Sequence, residues 1–121
     1  MTIELQGLRT VIYPVADLAA AKAWWTELIG VTPYFDEPFY VGFEVAGYEL
    51  GLLPTEDSAD GSFTYWGVES VADAVSQALT NGATEHVPAA DVGGGIITAT
   101  VRTPDGSVVG FITNPHFALP S

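Results

Sequence analysis

The chain has 121 residues, 48% of them hydrophobic and 12% aromatic, which suits one compact domain over 1–121 and is too short for two ordinary ones. Fifteen acidic residues against Arg9, Lys22 and Arg102 leave a formal net charge of −12, and three scattered cations cannot displace counterions from a polyanion, so nucleic acid is excluded as a partner. The absence of cysteine removes disulfides, thiolate metal sites and cysteine nucleophiles together. No apolar run approaches bilayer-spanning length, so no membrane partner is expected. The N-terminal "MTIELQGLRTVIYPV" lacks the basic and apolar regions of a secretory signal, which predicts a cytoplasmic location.

In chain order, "LRTVIYP" (8–14) reads as a strand, and Asp17 is placed to cap a helix that runs to Ile29 and ends at Gly30. Leu18, Ala21, Trp25 and Leu28 form its expected inner stripe. After "VTPYFDEP" come two alternating runs, "FYVGFEVA" and "YELGLLP", joined at Ala46-Gly47 as a hairpin. The polar stretch 55–62 reads as a linker. The pattern then restarts: "FTYWGV" is a strand, Ser70 and Asp73 resemble a capping box, and Val71, Ala74, Val75, Ala78 and Leu79 follow helical spacing up to Gly82. A short extended "TEHVP" follows, then "GIITATVR" and "SVVGFIT" joined by the turn "TPDG". "GYELGLL" (47–53) and "GSVVGFI" (106–112) share one pattern, so Gly51 and Gly110 are twins. An α+β fold of two βαβββ modules, 7–54 and 63–114, is the expectation.

Strand parity separates two faces. Val11, Tyr13, Val41, Phe43, Val45, Leu50, Leu52, Trp66, Val68, Ile97, Ala99, Val101, Val109 and Phe111 make a densely apolar set, the expected core. The opposite set mixes Thr10, Ile12, Tyr40, Gly42, Glu44, Glu49, Gly51, Leu53, Phe63, Tyr65, Ile96, Thr98, Thr100, Arg102, Val108, Gly110 and Ile112. A lining of aromatics, hydroxyls and a few charges suits a ligand cavity; a face covered by another subunit is the alternative. A two-residue turn at Ala46-Gly47 sets Glu44 directly opposite Glu49. Like charges across a ladder repel by tenths of a kcal/mol, tolerable near a solvated hairpin tip and useful if a ligand ammonium or acid–base chemistry employs them. His86, after the second helix, and His116, in the tail, read first as surface or structural histidines. "GGG" (93–95) lacks the lysine and context of a phosphate loop.

"RTVIYPVADLAAAKAWWTELIGV", "YWGVESVADAVSQALTNGA" and "RTPDGSVVGFI" together resemble the vicinal oxygen chelate superfamily of glyoxalases, extradiol dioxygenases, methylmalonyl-CoA epimerases and bleomycin resistance proteins. The resemblance covers nearly the whole chain. It implies two paired βαβββ modules forming a curled mixed sheet around a cleft, helices on the outer face, in a homodimer. It also implies a divalent metal held from the first and fourth strand of each module, at positions that here fall on Thr10, Gly51, Phe63 and Gly110. Those side chains offer no coordination set for zinc, nickel or iron, so neither a metal nor another cofactor is expected. The glycines leave space there instead.

Three functions follow as expectations. The first is metal-independent binding of a bulky, aromatic, cationic small molecule, in the manner of antibiotic sequestration, by Thr10, Tyr40, Glu44, Glu49, Gly51, Phe63, Tyr65, Thr98, Thr100, Arg102 and Gly110. The second is a glyoxalase-like lyase, isomerase or other enzyme of the same fold acting on a hydrophobic metabolite without the family metal, with Glu44, Glu49 or His86 moving the proton. The third is a degenerate module whose cleft is plugged by Phe63, Tyr65 and Ile112 and which serves as an interaction surface.

Overall fold

The computed structural model describes residues 3–55 and 61–115. Its elements are β1 (Leu8–Val15), α1 (Leu18–Ile29), β2 (Phe35–Glu37), β3 (Tyr40–Val45), β4 (Tyr48–Pro54), β5 (Phe63–Gly67), α2 (Val71–Thr80), β6 (Thr84–Asp91), β7 (Ile97–Arg102) and β8 (Val108–Thr113). The fold is α+β, and the βαβββ order occurs twice. Most of the expected linker, and His116, lie outside the described residues. The chain divides into two compact units, one starting at Thr10 and containing α1 and β2 to β4, the other containing α2, β5 to β8 and the residues up to Arg9.

Each unit shows the same topology. In the first, the strand order is β2-β3-β4-β1, with β1 parallel to β4 and antiparallel pairing of β2 with β3 and β3 with β4. In the second, the order is β5-β8-β7-β6, with β5 parallel to β8 and antiparallel pairs β7–β8 and β6–β7. The mixture of parallel and antiparallel ladders follows from the connections: each helix carries the chain from the first strand to the strand farthest from it in the unit, and two antiparallel returns bring the fourth strand back parallel to the first.

Local chemistry sets the element ends. Asp17 accepts a hydrogen bond from the Ala20 amide and Gly30 closes α1 at φ 74°, the left-handed conformation that costs glycine nothing. Ser70 caps α2 by accepting from the Asp73 amide at 3.2 Å. At the β3–β4 hairpin, Ala46 (φ 52°) and Gly47 (φ 90°) both have positive φ, as a type I′ turn requires, and Val45 pairs Tyr48 across it. That turn fixes the register and sets Glu44 opposite Glu49 as expected.

The core of the first unit is Val41, Phe43 and Leu52, covered by Tyr13, Val15, Leu18, Ala21, Trp25, Ile29 and Leu50. Phe43 and Leu52 are fully buried, each worth about 1.5–3 kcal/mol. The second core joins Val68, Val71, Ala74, Ala99, Val101 and Phe111 with Val75, Ala78 and Val109. Three expectations need correction. Leu28 is 59% exposed and Ile29 packs inward instead, because the stripe advances by four from Trp25 once the helix runs its last turn. Val45 and Ile97 are exposed, since each lies at a strand end. Among the described residues no helix is long and apolar enough to cross a membrane.

Candidate ligand-binding site

The face opposite the first core is built around Glu49 of β4. Parallel pairing sets it beside Thr10 of β1, and antiparallel pairing sets it beside Glu44 of β3. Glu49 Oε1 accepts from the Tyr40 hydroxyl at 2.6 Å and from Thr10 Oγ1 at 3.2 Å, while Oε2 accepts from the Tyr34 hydroxyl. Glu49 thus has hydroxyl donors, and no cation, as its partners among the described residues. The ion pair that Lys22 makes, to Asp36 at 3.1 Å, lies elsewhere. Glu44 is exposed and its Oε1 accepts from the Gly47 amide at 2.8 Å, tying that carboxylate to the hairpin turn.

Two glycines make this arrangement possible. A Cβ at Gly51 would sit 2.7 Å from Tyr40 Cζ and 2.9 Å from Ile12 Cδ1. A Cβ at Gly42 would sit 2.9 Å from Glu49 Oε2, 3.2 Å from Tyr34 Cε1 and 3.4 Å from Tyr40 Cε2. Both phenols therefore reach over backbone that carries no side chain. Tyr34 enters from the loop before β2, where its amide donates to Gly42 O at 3.0 Å. Its residue is 62% exposed, yet its hydroxyl is tucked against the carboxylate. Desolvation, then the hydrogen bond to Glu49, then the charges of Glu49 and Glu44 push the phenol above the usual tyrosine range. It remains a neutral donor.

In the second unit, Tyr65 of β5 pairs with Gly110 of β8, and its ring covers that glycine. A Cβ there would lie 2.6 Å from Tyr65 Cε1 and 3.0 Å from Thr64 O. Phe63 packs edge-on against Tyr65 with ring centroids 5.6 Å apart. Thr100 is buried and its Oγ1 lies 2.9 Å from His86 Nδ1. His86 sits on β6 at the first of two register shifts of the β6–β7 ladder, between paired Glu85 and Val87. Thr98 pairs Ile112 across β7 and β8. Arg102 donates from Nη1 to Gly106 O at 2.9 Å, so its guanidinium braces the "TPDG" turn. The space expected at the twin glycines is filled, by Tyr40 at Gly51 and by Tyr65 at Gly110.

The residues at the four positions where the resemblance places metal ligands do not fit a metal. In the first unit Thr10 spends its hydroxyl proton on Glu49 and Gly51 lies under Tyr40; in the second, Phe63 has no donor atom and Gly110 lies under Tyr65. Divalent zinc, nickel or iron requires several convergent N or O ligands. Among the described residues no group of three or more His, Asp or Glu side chains converges in that way. Two surface cavities, of about 450 and 490 Å³, lie beside the start of α2 and between α1 and β2; neither contains the Glu49 cluster.

Sequence parity brought out Thr10, Tyr40 and Glu49 and missed Tyr34. Alternation ranks only strand residues, and Tyr34 lies in a connection; an aromatic directly after Pro33 was the available signal.

Solved structures share this fold at low identity. A methylmalonyl-CoA epimerase variant of Streptomyces coelicolor, in complex with 2-nitronate-propionyl-CoA, aligns with TM-score 0.76 and 14% identity over 97% of this chain and 100% of its own. A chain from the NAD-dependent benzaldehyde dehydrogenase structure of Legionella pneumophila aligns with TM-score 0.68 and 20% identity, covering 86% of this chain and 96% of its own. A glyoxalase/bleomycin resistance protein/dioxygenase superfamily member of Vibrio splendidus aligns with TM-score 0.66 and 16% identity over 88% and 99%. No curated protein matches the sequence significantly. The family model for this superfamily matches residues 7–111, nearly the whole described chain. With the duplicated βαβββ topology in hand, the chain belongs to the Glyoxalase/Bleomycin resistance protein/Dioxygenase superfamily.

Proposed function

We propose that this protein binds a bulky aromatic cation without a metal, using the Tyr34, Tyr40 and Glu49 cluster of its first unit. The observation that carries this reading is the Glu49 carboxylate. It is half-buried, oriented by three hydroxyls, flanked by two phenol rings and a second carboxylate, and lacks a cationic partner among the described residues. A ligand cation would gain Coulomb attraction from Glu49 and cation–π attraction from the rings. A net charge of −12 raises the local concentration of such ligands.

The same geometry weighs against Tyr34 as a general acid. Efficient general acids have a pKa near the working pH, and the Tyr34 phenol is shifted upward, away from it.

Calorimetry with 2-naphthylmethylammonium and its neutral isostere 2-naphthylmethanol tests the reading. The ammonium should bind and the alcohol should bind at least about tenfold more weakly, and Glu49→Gln should cost the ammonium about tenfold in affinity. Equal binding of the two compounds, or indifference to Glu49→Gln, sinks it.

A further inference from the structure

We infer that the Glu49 site selects a primary or secondary ammonium over a guanidinium or a quaternary ammonium, an inference that rests on the cation-binding reading above. The carboxylate has a limited number of acceptor positions. An ionised carboxylate offers about four lone-pair sites, two on each oxygen. Oε1 already accepts from Tyr40 at 2.6 Å and Thr10 at 3.2 Å, which fills it. Oε2 accepts from Tyr34 alone and keeps one site.

Oε2 overhangs Gly42, where a Cβ would approach it to 2.9 Å and would touch Tyr34 Cε1 and Tyr40 Cε2 at 3.2 and 3.4 Å. Oε2 and the two rings thus take up the space above a residue with no side chain, and Tyr34, which supplies one of those rings, is exposed. A guanidinium binds a carboxylate best through two parallel N–H donors, one to each oxygen. Here the Oε1 half of that fork is taken. An ammonium is a compact charge that needs only one acceptor and leaves its other protons to water or a ring face. A quaternary ammonium has no proton to donate to Oε2 and retains only the ring contacts.

The test uses three cations on one aromatic body: 2-naphthylmethylammonium, 2-naphthylmethylguanidinium and 2-naphthylmethyl-trimethylammonium, titrated into the full chain by calorimetry. The ammonium should bind about tenfold tighter than either competitor. Thr10→Val and Tyr40→Phe each remove one donor from Oε1 while keeping the shape of the side chain, so the guanidinium should gain on the ammonium in both variants and most in the pair. Thr10→Ser keeps the hydroxyl and should keep the discrimination, which holds the test open if the double variant fails to fold. Guanidinium binding as tight as ammonium in the unmodified chain, lost in Glu49→Gln, overturns the selectivity and leaves cation binding intact. Absence of binding by all three cations overturns both.

Discussion

Tyr34 makes the sharpest residue-scale statement, because its phenol is tied to a carboxylate yet sits in an exposed loop position. Its folded-state pKa lies above the usual tyrosine value, through desolvation first and the Glu49 hydrogen bond and charge second. The neutral phenol is therefore favoured by folding. Its stabilising contribution is complete below the unfolded value of about 10 and is lost as pH rises from there towards the folded value. Tyr34 should accordingly ionise late in an alkaline titration followed by ultraviolet difference absorbance. Tyr34→Phe should abolish that late step. If the step removed by Tyr34→Phe lies near the ordinary value, the phenol is not held by Glu49 as described. Parity could not have shown any of this, since the loop before β2 has no periodicity from which to read a direction. Thr10, Tyr40 and Glu49, by contrast, lie on strands whose register is set by the parallel β1–β4 ladder and the type I′ hairpin; their shared face was readable from alternation and the hairpin from the Ala46-Gly47 pair, whereas the β1–β4 pairing was not.

At the level of the strand, the twin glycines are where expectation and structure part. Gly51 and Gly110 are equivalent positions on the fourth strands of the two units, as the shared pattern indicated. What the pattern could not reveal is that a tyrosine ring lies over each. Alternation assigns a side chain to a face and is silent about its lean along the sheet, which the neighbours decide. The tyrosines come from different places, Tyr40 from β3 and Tyr65 from β5, so the duplication of backbone does not extend to the covering residue. Alanine at either glycine should cost about 1–3 kcal/mol by overpacking, read as a lower urea midpoint at unchanged slope. At Gly110 the cost should be the larger, because Thr64 O, a backbone atom, stands 3.0 Å from the added methyl and cannot swing aside. Double-mutant cycles locate the cause: with Tyr40→Ala or Tyr65→Ala in the background, the penalty at the matching glycine should shrink. A penalty that ignores the tyrosine would mean that strand backbone entropy, and not the ring, demands glycine.

Over the whole molecule, the duplicated order and the fold class were readable because capping residues, turn glycines and apolar periods repeat in step. The phase of α1 was not, since Leu28 and Ile29 are both apolar and only the end of the helix decides between them. Charge is the other property that belongs to the entire chain. Fifteen acidic groups against three basic ones make a field that reaches beyond Glu49, and its range shrinks from about 30 Å at 0.01 M salt to about 3 Å at 1 M. Two electrostatic contributions therefore separate by their salt response. The contact between a ligand ammonium and Glu49 is short and only weakly screened, whereas the attraction of the remaining charges is long-ranged and strongly screened. Raising salt from about 0.01 M to about 1 M should weaken 2-naphthylmethylammonium binding severalfold in the unmodified chain and by nearly the same factor in Glu49→Gln, although the variant starts from lower affinity. The neutral 2-naphthylmethanol should show no such loss. Parallel salt plots for the two proteins assign the salt dependence to the acidic chain as a whole. A plot that flattens in Glu49→Gln would assign it to that one carboxylate and reject a role for the wider field.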